Sequence, residues 1–271
     1  MAEVYLSEMK YEEFENLVWQ HGKELYREMP WRDDPSFYHV LVSEIMLQQT
    51  QVPRVLVKFA ECMKQFPSIE ELAAAKLADV LRVWQGLGYN RRAKYLHETV
   101  KQIVATGQPN TLEELVKLPG VGKNTAAAIM NYVYEVPTAF VETNIRTVYF
   151  HHFIQHRTDV TDKEVREIVE ATIDREHPRE WFWALMDYGS ALKSQGRGSL
   201  DRSKHYKKQP PLAGSVREMR GRIVRALADG RQERELLAVA VAADNRFSLA
   251  LNGLIKDGLV TIDGTAVYLT S

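Results

Sequence analysis

Apolar residues recur at helical spacing along most of this 271-residue chain, and strict alternation is confined to its last part. Residues 9–28 show the helical pattern first, with apolar positions at Phe14, Leu17, Val18 and Leu25, until Met29-Pro30-Trp31 breaks it. Because few segments alternate with period two before residue 258, the body is predicted to be nearly all-α. The same spacing predicts further helices at 38–51, from 68–70 onward, and at 77–85, 91–106, 112–117, 125–134, 143–150, 162–176 and 179–193.

The segment 215–271 combines helical spacing with two short alternating runs. An Asp-Gly pair between such runs, here Asp263-Gly264, is a strong hairpin signal. Three helices and a hairpin predict a small winged-helix-like α+β module, in which the third helix takes the recognition position. Because that helix is not strongly basic, packing or protein binding is as good an interpretation as DNA reading. The predicted elements are helices at 216–229, 233–242 and 246–257 and strands at 259–262 and 266–269.

A glycine-rich turn, Leu118-Pro119-Gly120-Val121-Gly122, joins two predicted helices in the middle of the chain. Its two glycines allow a very tight hairpin, and the next helix begins at once with Lys123-Asn124. Such a turn presents consecutive backbone N–H groups at a positive helix end, and Lys123 adds a full charge. The turn is therefore interpreted as a phosphate clamp, although a Gly-x-Gly turn taken alone is more often a plain helix connection.

An acidic residue, Glu142, follows the short apolar run 138–141 and precedes the helix predicted at 143–150. A carboxylate in this position lies at a positive dipole end and is partly removed from water. A lone Glu at a helix start is usually a cap. Together with the clamp some twenty residues earlier, it indicates a functional site.

Several segments between residues 25 and 193 resemble one family in the same order. The runs LPGVGKNTAAAI and FVETNIRTV resemble the helix-hairpin-helix and Gly-Pro-Asp segment of the endonuclease III superfamily of DNA glycosylases, and within it the MutY-type adenine glycosylases. The other matching segments are Pro30-Trp31-Arg32, SEIMLQQTQV (43–52), VWQGLGYNRRAKYL (83–96) and ALMDYGS (184–190).

The resemblance implies an all-α, two-lobed helix-hairpin-helix glycosylase fold with the small module at its C-terminal end. One lobe is expected to combine residues 1–30 with 141–193, and the other to be a six-helix lobe over 31–140. A basic linker at 194–214 would lead to the module at 215–271. In this family the linker region usually holds four cysteines around an iron–sulfur cluster, and here they are absent.

Two carboxylates carry the chemistry that the resemblance implies. Glycosidic cleavage needs a proton for the leaving base and negative charge near the sugar, which carboxylates with separated pKa values provide. Glu44 falls on the family's general acid, and its place in the apolar helix 40–47 predicts partial burial. Glu142 falls on the family's catalytic Asp but is one methylene longer, so it needs a different rotamer or a shifted backbone to reach C1′.

A base inside a duplex can be reached only by flipping, which leaves a gap for side chains to fill. By resemblance, Gln48 and Gln49 read base edges, while Tyr89 acts as a wedge beside phosphate contacts from Arg91, Arg92 and Lys94. Taken alone, Tyr89 is more often a core aromatic. Trp31 is expected to line the base pocket. The alternative is that it is an ordinary buried core residue.

The first residues of the helix after the clamp distinguish this chain from the bifunctional members of the family that it resembles. Bifunctional members attack C1′ with a lysine at the position of Asn124, and the neighbouring Lys123 should point about a hundred degrees away around the helix. A monofunctional enzyme is therefore expected.

Asn144 is expected to hold a carboxylate or the sugar phosphate. The predicted DNA-binding set is Gln48, Gln49, Tyr89, Arg91, Gly120, Val121, Gly122, Lys123, Asn124 and Asn144.

Composition limits the alternatives. A formal net charge of −1 gives no overall basic character, so DNA contacts must come from local patches such as the stretch 193–211. The one cysteine, Cys62, excludes an intrachain disulfide and any multi-cysteine cluster, so no cofactor or metal is expected. No apolar stretch reaches the length of a membrane span. A cytoplasmic, nucleoid-associated monomer is expected.

The predicted reaction is hydrolytic removal of adenine mispaired with guanine or 8-oxoguanine in double-stranded DNA. Glu44 favours a purine leaving group that needs protonation. The C-terminal segment is too short for the Nudix-like domain with which MutY-type enzymes recognise 8-oxoguanine, so the opposite base stays open. The alternatives are a glycosylase for another base, such as thymine or uracil opposite guanine or a deaminated purine, and a catalytically silent DNA-binding protein. A protein or DNA partner for the C-terminal module is also open.

Overall fold

Helices dominate the computed structural model, which describes residues 10–155, 157, 159–198 and 210–271. In chain order they are α1 (Tyr11–Glu24), α2 (Pro30–Asp33), α3 (Phe37–Leu47), α4 (Val52–Gln65), α5 (Ile69–Ala74), α6 (Leu77–Val83), α7 (Arg91–Thr106), α8 (Leu112–Leu115), α9 (Lys123–Tyr132), α10 (Thr143–His152), α11 (Asp162–Thr172), α12 (Pro178–Ser194), α13 (Val216–Ala226), α14 (Arg234–Ala240) and α15 (Phe247–Lys256). The strands are β1 (Gln232–Glu233), β2 (Val260–Asp263) and β3 (Ala266–Leu269).

The described residues fall into two compact units. The first takes in those within Met1–Val40, Asn110–Val116 and Val121–Lys208, and the second those within Leu41–Pro109, Lys117–Gly120 and Gln209–Ser271. The lobe boundaries expected from the sequence lie elsewhere and stay predictions. Residues 199–209, which make up most of the expected basic linker, lie outside the described residues.

Close helix packing forms the core of the first unit, where α1 and α10 both lie against α12. A Cβ atom added to Gly189 of α12 would lie 2.2 Å from the carbonyl oxygen of Asn144, so only glycine permits this approach. Phe14, Tyr149 and Trp181 are fully buried in this core. The rings of Phe14 and Tyr149 lie 5.2 Å apart between centroids. The small residue therefore fixes how closely α10, which follows Glu142, packs on α12.

The C-terminal part of the second unit confirms the predicted three helices and hairpin. The antiparallel sheet has the order β1-β3-β2, and the turn at Gly264, with φ of 62°, pairs Asp263 with Ala266. Helices α13 and α15 pack on each other. The two-residue strand β1 was not predicted, because so short a strand has no measurable alternation.

Three predicted helices end earlier than expected, and in each case the next helix has a proline in its first turn. The helix predicted at 38–51 ends at Leu47, ahead of α4 with Pro53. The helix predicted at 9–28 ends at Glu24, and Pro30 begins the short helix α2 rather than merely breaking a longer one. Proline fits the first turn of a helix, where its missing N–H would have no partner anyway. The helix predicted at 162–176 likewise ends at Thr172, before Pro178 begins α12.

Over the residues that the structure describes, no helix combines the length and the apolar character that crossing a membrane requires.

The close approach at Gly189 predicts that Gly189→Ala destabilises the protein. The added methyl group must displace the backbone of α10, and overpacking of this kind costs about 1–3 kcal/mol. Gly221→Ala in α13 is the matched control, because an added Cβ there meets no heavy atom within 4 Å. Urea unfolding followed by circular dichroism should show a lowered midpoint only for Gly189→Ala. A wild-type midpoint for that variant would contradict the packing described here.

Candidate active site

Glu142 is the N-cap of α10, as its position in the sequence predicts. Its backbone is extended, and its Oε1 accepts hydrogen bonds from the backbone N–H groups of Asn144 at 2.6 Å and Ile145 at 3.1 Å. Oε1 accepts both of these hydrogen bonds, and no hydrogen bond to Oε2 is found among the described residues. One oxygen of the carboxylate therefore holds the side chain on the helix.

Burial raises the pKa of Glu142 above its usual value. The two capping amides and the charges of Lys193 and Arg146 act in the opposite direction but do not cancel the effect of burial. Lys193 is held nearby because its Nζ donates to Oδ1 of Asn144 at 3.2 Å. Lys193 is the first residue of the basic stretch 193–211 and lies on α12, 51 residues after Glu142, so no local pattern linked it to this carboxylate. Its partner Asn144 touches the carboxylate through its backbone amide and the cation through its side chain.

The start of α9 has the open backbone expected of an anion-binding turn. Lys123 and Asn124 are exposed, whereas Val121 is buried. Gly122 is the N-cap of α9 and has an ordinary negative φ, and a Cβ there would meet no heavy atom within 4 Å. Glycine therefore serves to leave the amides uncovered rather than to permit a rare conformation. Gly120, in contrast, is needed for its conformation and for close packing. Its φ is 74°, and a Cβ there would lie 2.8 Å from Cβ of Tyr95.

Asn124 has an internal partner. Its Nδ2 donates to the backbone carbonyl of Val141 at 2.6 Å, which joins the start of α9 to the residue directly before Glu142. A surface cavity of about 300 Å³ lies beside this contact, with Lys123 and Arg166 among its lining residues. Arg166 is a second cation near the start of α9, which the sequence analysis did not identify, because it lies in a different helix, α11.

In the second unit, Glu44 lies on α3 and is half-buried, as predicted. Gln48 follows α3, and its Nε2 donates to the carbonyl oxygen of Gly120 at 3.2 Å. Gln49 is exposed and has a positive φ of 57°, which turns the chain away from the helix. Asn and Asp tolerate this conformation better than glutamine does, so a neighbouring contact must stabilise it.

That contact comes from Arg92, whose guanidinium is buried. Its Nη1 donates to the carbonyl oxygens of Ile45, Met46 and Gln48 at 2.8, 2.9 and 2.6 Å. Its Nη2 donates to Oγ1 of Thr50 at 3.0 Å and to two further carbonyl oxygens, those of Leu87 and Gly88, each at 3.1 Å. These six hydrogen bonds join the end of α3 to the turn that carries Tyr89.

The interpretation of Arg92 as a phosphate contact is therefore wrong, whereas that of Lys94, which is partly exposed, stays a prediction. Burial lowers the pKa of Arg92 to about 10, and the guanidinium lies 5.4 Å from the ring of Trp84 and 5.7 Å from that of Tyr89. Nζ of Lys94 donates to the carbonyl oxygen of Asp257 at 2.9 Å. Arg91 is exposed, and it stays a predicted phosphate contact.

Trp31 is buried, with 6% of its surface exposed, as in the plainer of its two interpretations. The next residue, Arg32, pairs with the buried carboxylate of Asp187 at 2.7 Å. Arg27 joins the same carboxylate at 2.6 Å. This buried ion cluster joins α2, which carries Trp31, to α12. It therefore fixes the position of Trp31.

The described side chains provide few suitable ligands for a metal ion. Burial raises the pKa of the Cys62 thiol to about 12, so it stays protonated at neutral pH, and a metal binds the thiolate. Within the described ranges, no group of three or more His, Cys, Asp or Glu side chains is arranged to hold a metal ion.

Comparison with known proteins places these features in one family. Residues 42–174 match the family described as HhH-GPD superfamily base excision DNA repair protein. The adenine DNA glycosylase of Mycobacterium tuberculosis (strain CDC 1551 / Oshkosh) is 34% identical over 268 residues, which cover 88% of this chain and 88% of that protein. The adenine DNA glycosylase of Buchnera aphidicola subsp. Baizongia pistaciae (strain Bp) is 32% identical over 182 residues, which cover 65% of this chain but only 51% of that protein. The chain thus spans about half the length of the Buchnera relative.

Solved structures share the fold. A thermostable thymine-DNA glycosylase aligns with a TM-score of 0.60 at 21% identity, over 71% of this chain and 91% of that one. A trapped covalent intermediate of endonuclease III with DNA, an estranged-adenine complex, aligns with a TM-score of 0.56 at 16% identity, over 76% of this chain and 93% of that one. At such identities the likeness extends to the fold alone.

The raised pKa of Glu142 predicts a pH-dependent stability that Glu142→Gln removes. The Gln variant keeps an oxygen for the two capping amides but has no charge. Because the pKa is higher in the folded protein than in the unfolded chain, the stability that protonation contributes is complete below the unfolded pKa and is lost as pH rises through the folded pKa. Urea midpoints measured from pH 4 to 8 should show the wild type losing stability relative to the Gln variant across that window. Parallel curves would contradict the burial of this carboxylate.

Proposed function

Because this chain belongs to the HhH-GPD superfamily of base excision DNA repair proteins and is a DNA N-glycosylase, we propose that it removes adenine mispaired with guanine or 8-oxoguanine. The observation that carries the proposal is the 34% identity to an adenine DNA glycosylase over 88% of both chains. Double-stranded DNA that contains the mispair is the proposed substrate. The monomeric state and the nucleoid-associated cytoplasmic location remain predictions.

Glu44 is the proposed general acid. Adenine leaves as a neutral base only if a ring nitrogen is protonated as the glycosidic bond breaks, and a positioned carboxylic acid supplies that proton. The half-buried place of Glu44 on α3 supports this role, because a helix holds the carboxylic acid in a fixed position.

Glu142 is the proposed stabiliser of the oxocarbenium-like sugar. Negative charge fixed close to C1′ lowers the barrier most when it needs no reorganisation during the reaction. The two amides on Oε1 support this role, because they hold the longer side chain in one place and leave Oε2 for the sugar. Burial raises the pKa of Glu142, and the two capping amides, Lys193 and Arg146 act in the other direction, towards the ionised form that the role requires.

Lys123 and the open amides at the start of α9 are the proposed phosphate contacts, with Arg166 as an additional cation beside them. The proposed base-reading and wedge residues are Gln48, Gln49 and Tyr89. Asn124 occupies the position at which bifunctional relatives have a nucleophilic lysine, and its amide is engaged with Val141. We therefore propose hydrolysis by water, without a covalent enzyme–DNA intermediate.

The enzyme is proposed to work without an iron–sulfur cluster. A chain with one cysteine cannot supply the four thiolates of such a cluster, and the thiol of Cys62 is buried and protonated. Stoichiometric iron in the active purified protein would contradict this part of the proposal.

Single-turnover base release tests the function directly. Duplexes with A:8-oxoG, A:G, T:G, U:G and hypoxanthine pairs are incubated with excess enzyme and then cleaved with alkali, which breaks the strand at abasic sites. We expect release from the two adenine duplexes only. Glu44→Gln should bind DNA normally and slow release by about 10²-fold or more, the usual reach of general acid catalysis.

The other outcomes separate the alternatives. Preferred release of thymine, uracil or hypoxanthine would replace adenine as the substrate. DNA binding without release from any duplex would identify a silent DNA-binding protein. Glu142→Asp adds a test of the longer side chain, because it should be slower than the wild type if the pocket is built around Glu and at least as fast if the extra methylene is merely tolerated.

A further inference from the structure

The C-terminal module, residues 215–271, contacts the proposed wedge residue within the second unit. Nη1 of Arg217, in the first turn of α13, donates to the hydroxyl oxygen of Tyr89 at 2.8 Å. The same guanidinium lies 5.3 Å from the centroid of the Tyr89 ring. Its Nη2 donates to the carbonyl oxygen of Pro210 at 3.1 Å. Arg217 therefore holds both the polar end and the face of this tyrosine.

Other contacts keep the module in place around this point. Nε of Arg82 donates to the carbonyl oxygen of Ala228 at 2.6 Å, and Lys94 donates to the carbonyl oxygen of Asp257. The carboxylate of Asp257 in turn pairs with Arg220 of α13. These contacts do not involve Tyr89, so the module can stay docked when the contact of Arg217 is removed.

Tyr89 needs such support because of its backbone. Its φ is 49°, a left-handed conformation that bulky residues rarely adopt. Gly86 and Gly88 also have positive φ, at 92° and 73°, so three residues of this turn have a left-handed backbone. Residues in such conformations persist only when the surrounding structure fixes them. The buried Arg92 fixes the backbone side of the turn, and Arg217 fixes the side chain.

We propose that Arg217 is a positioning residue for Tyr89, so that the C-terminal module takes part in recognising the mispair. This inference rests on the proposed function, in which Tyr89 enters the duplex as a wedge. A side chain that is already ordered loses less conformational entropy when it inserts, and the bound state is favoured accordingly. The module then acts on the mispair through the wedge, without reading bases through its own third helix.

The test measures insertion separately from chemistry. Duplexes carry 2-aminopurine next to the adenine of an A:G pair, and its fluorescence rises when the neighbouring base is unstacked. Glu44→Gln serves as the background, so that no base is released during the measurement. Arg217→Met should reduce the unstacking equilibrium about three- to tenfold, the range expected for the net contribution of one hydrogen bond. Arg225→Met, which removes an exposed arginine of the same helix, should change nothing.

A double-mutant cycle identifies the contact. Tyr89→Phe removes only the hydroxyl group, so adding Arg217→Met to it should have a smaller effect than in the parent protein. Urea midpoints of all variants show whether the module remains folded. Equal effects of Arg217→Met and Arg225→Met, full additivity with Tyr89→Phe, or unchanged unstacking would each overturn the proposal. Because unstacking is read without base release, a wild type that unstacks the pair but releases no adenine would contradict the proposed function alone.

Discussion

The buried guanidinium of Arg92 determines how two segments of the second unit are held. It donates to backbone oxygens of Ile45, Met46 and Gln48 on one side and of Leu87 and Gly88 on the other. Burying a charge is unfavourable unless hydrogen bonds compensate for the lost water. Six oxygen atoms accept from the two Nη atoms and compensate in part, because Nε has no hydrogen-bond partner among the described residues and burial still lowers the pKa of Arg92. Carbonyl oxygens at a helix end and in a tight turn lack the partners that a continuing helix would supply. One side chain thus joins the end of α3 to the turn that carries Tyr89.

A small number of contacts also holds the segment around Glu142 in the first unit. The carboxylate of Glu142 caps α10 with one oxygen, and the amide of Asn124 secures the carbonyl just before it. Capping and catalysis are often treated as alternatives for an acidic residue at a helix start. Here the cap uses Oε1 alone, so the same residue can serve both purposes. The longer side chain of Glu, compared with the Asp of related enzymes, is accommodated by the helix that it caps.

Sequence patterns predicted the structural features that depend on residues close together in the chain. They missed the contacts between residues that are far apart in the chain. The helices, the hairpin at Asp263-Gly264 and the cap at Glu142 all follow from local spacing. Arg92 looked like one member of a surface cation cluster, although it lies on the buried face of α7 with Leu96, Thr99, Val100 and Ile103 at helical spacing, and this signal could have identified it. Lys193 and Arg217 act on residues 49 and 128 positions away, a separation at which no periodicity carries information.

Amide hydrogen exchange in Arg92→Lys tests the central role of this guanidinium most directly. Lysine keeps the charge but has three donors on one nitrogen, which cannot span acceptors on both segments. Arg91→Lys, at the exposed neighbouring position, is the control. We predict that exchange accelerates together at 47–50 and 87–90 in Arg92→Lys, while the first unit and the control keep wild-type rates. Unchanged exchange in both segments, or acceleration in only one of them, would contradict the account.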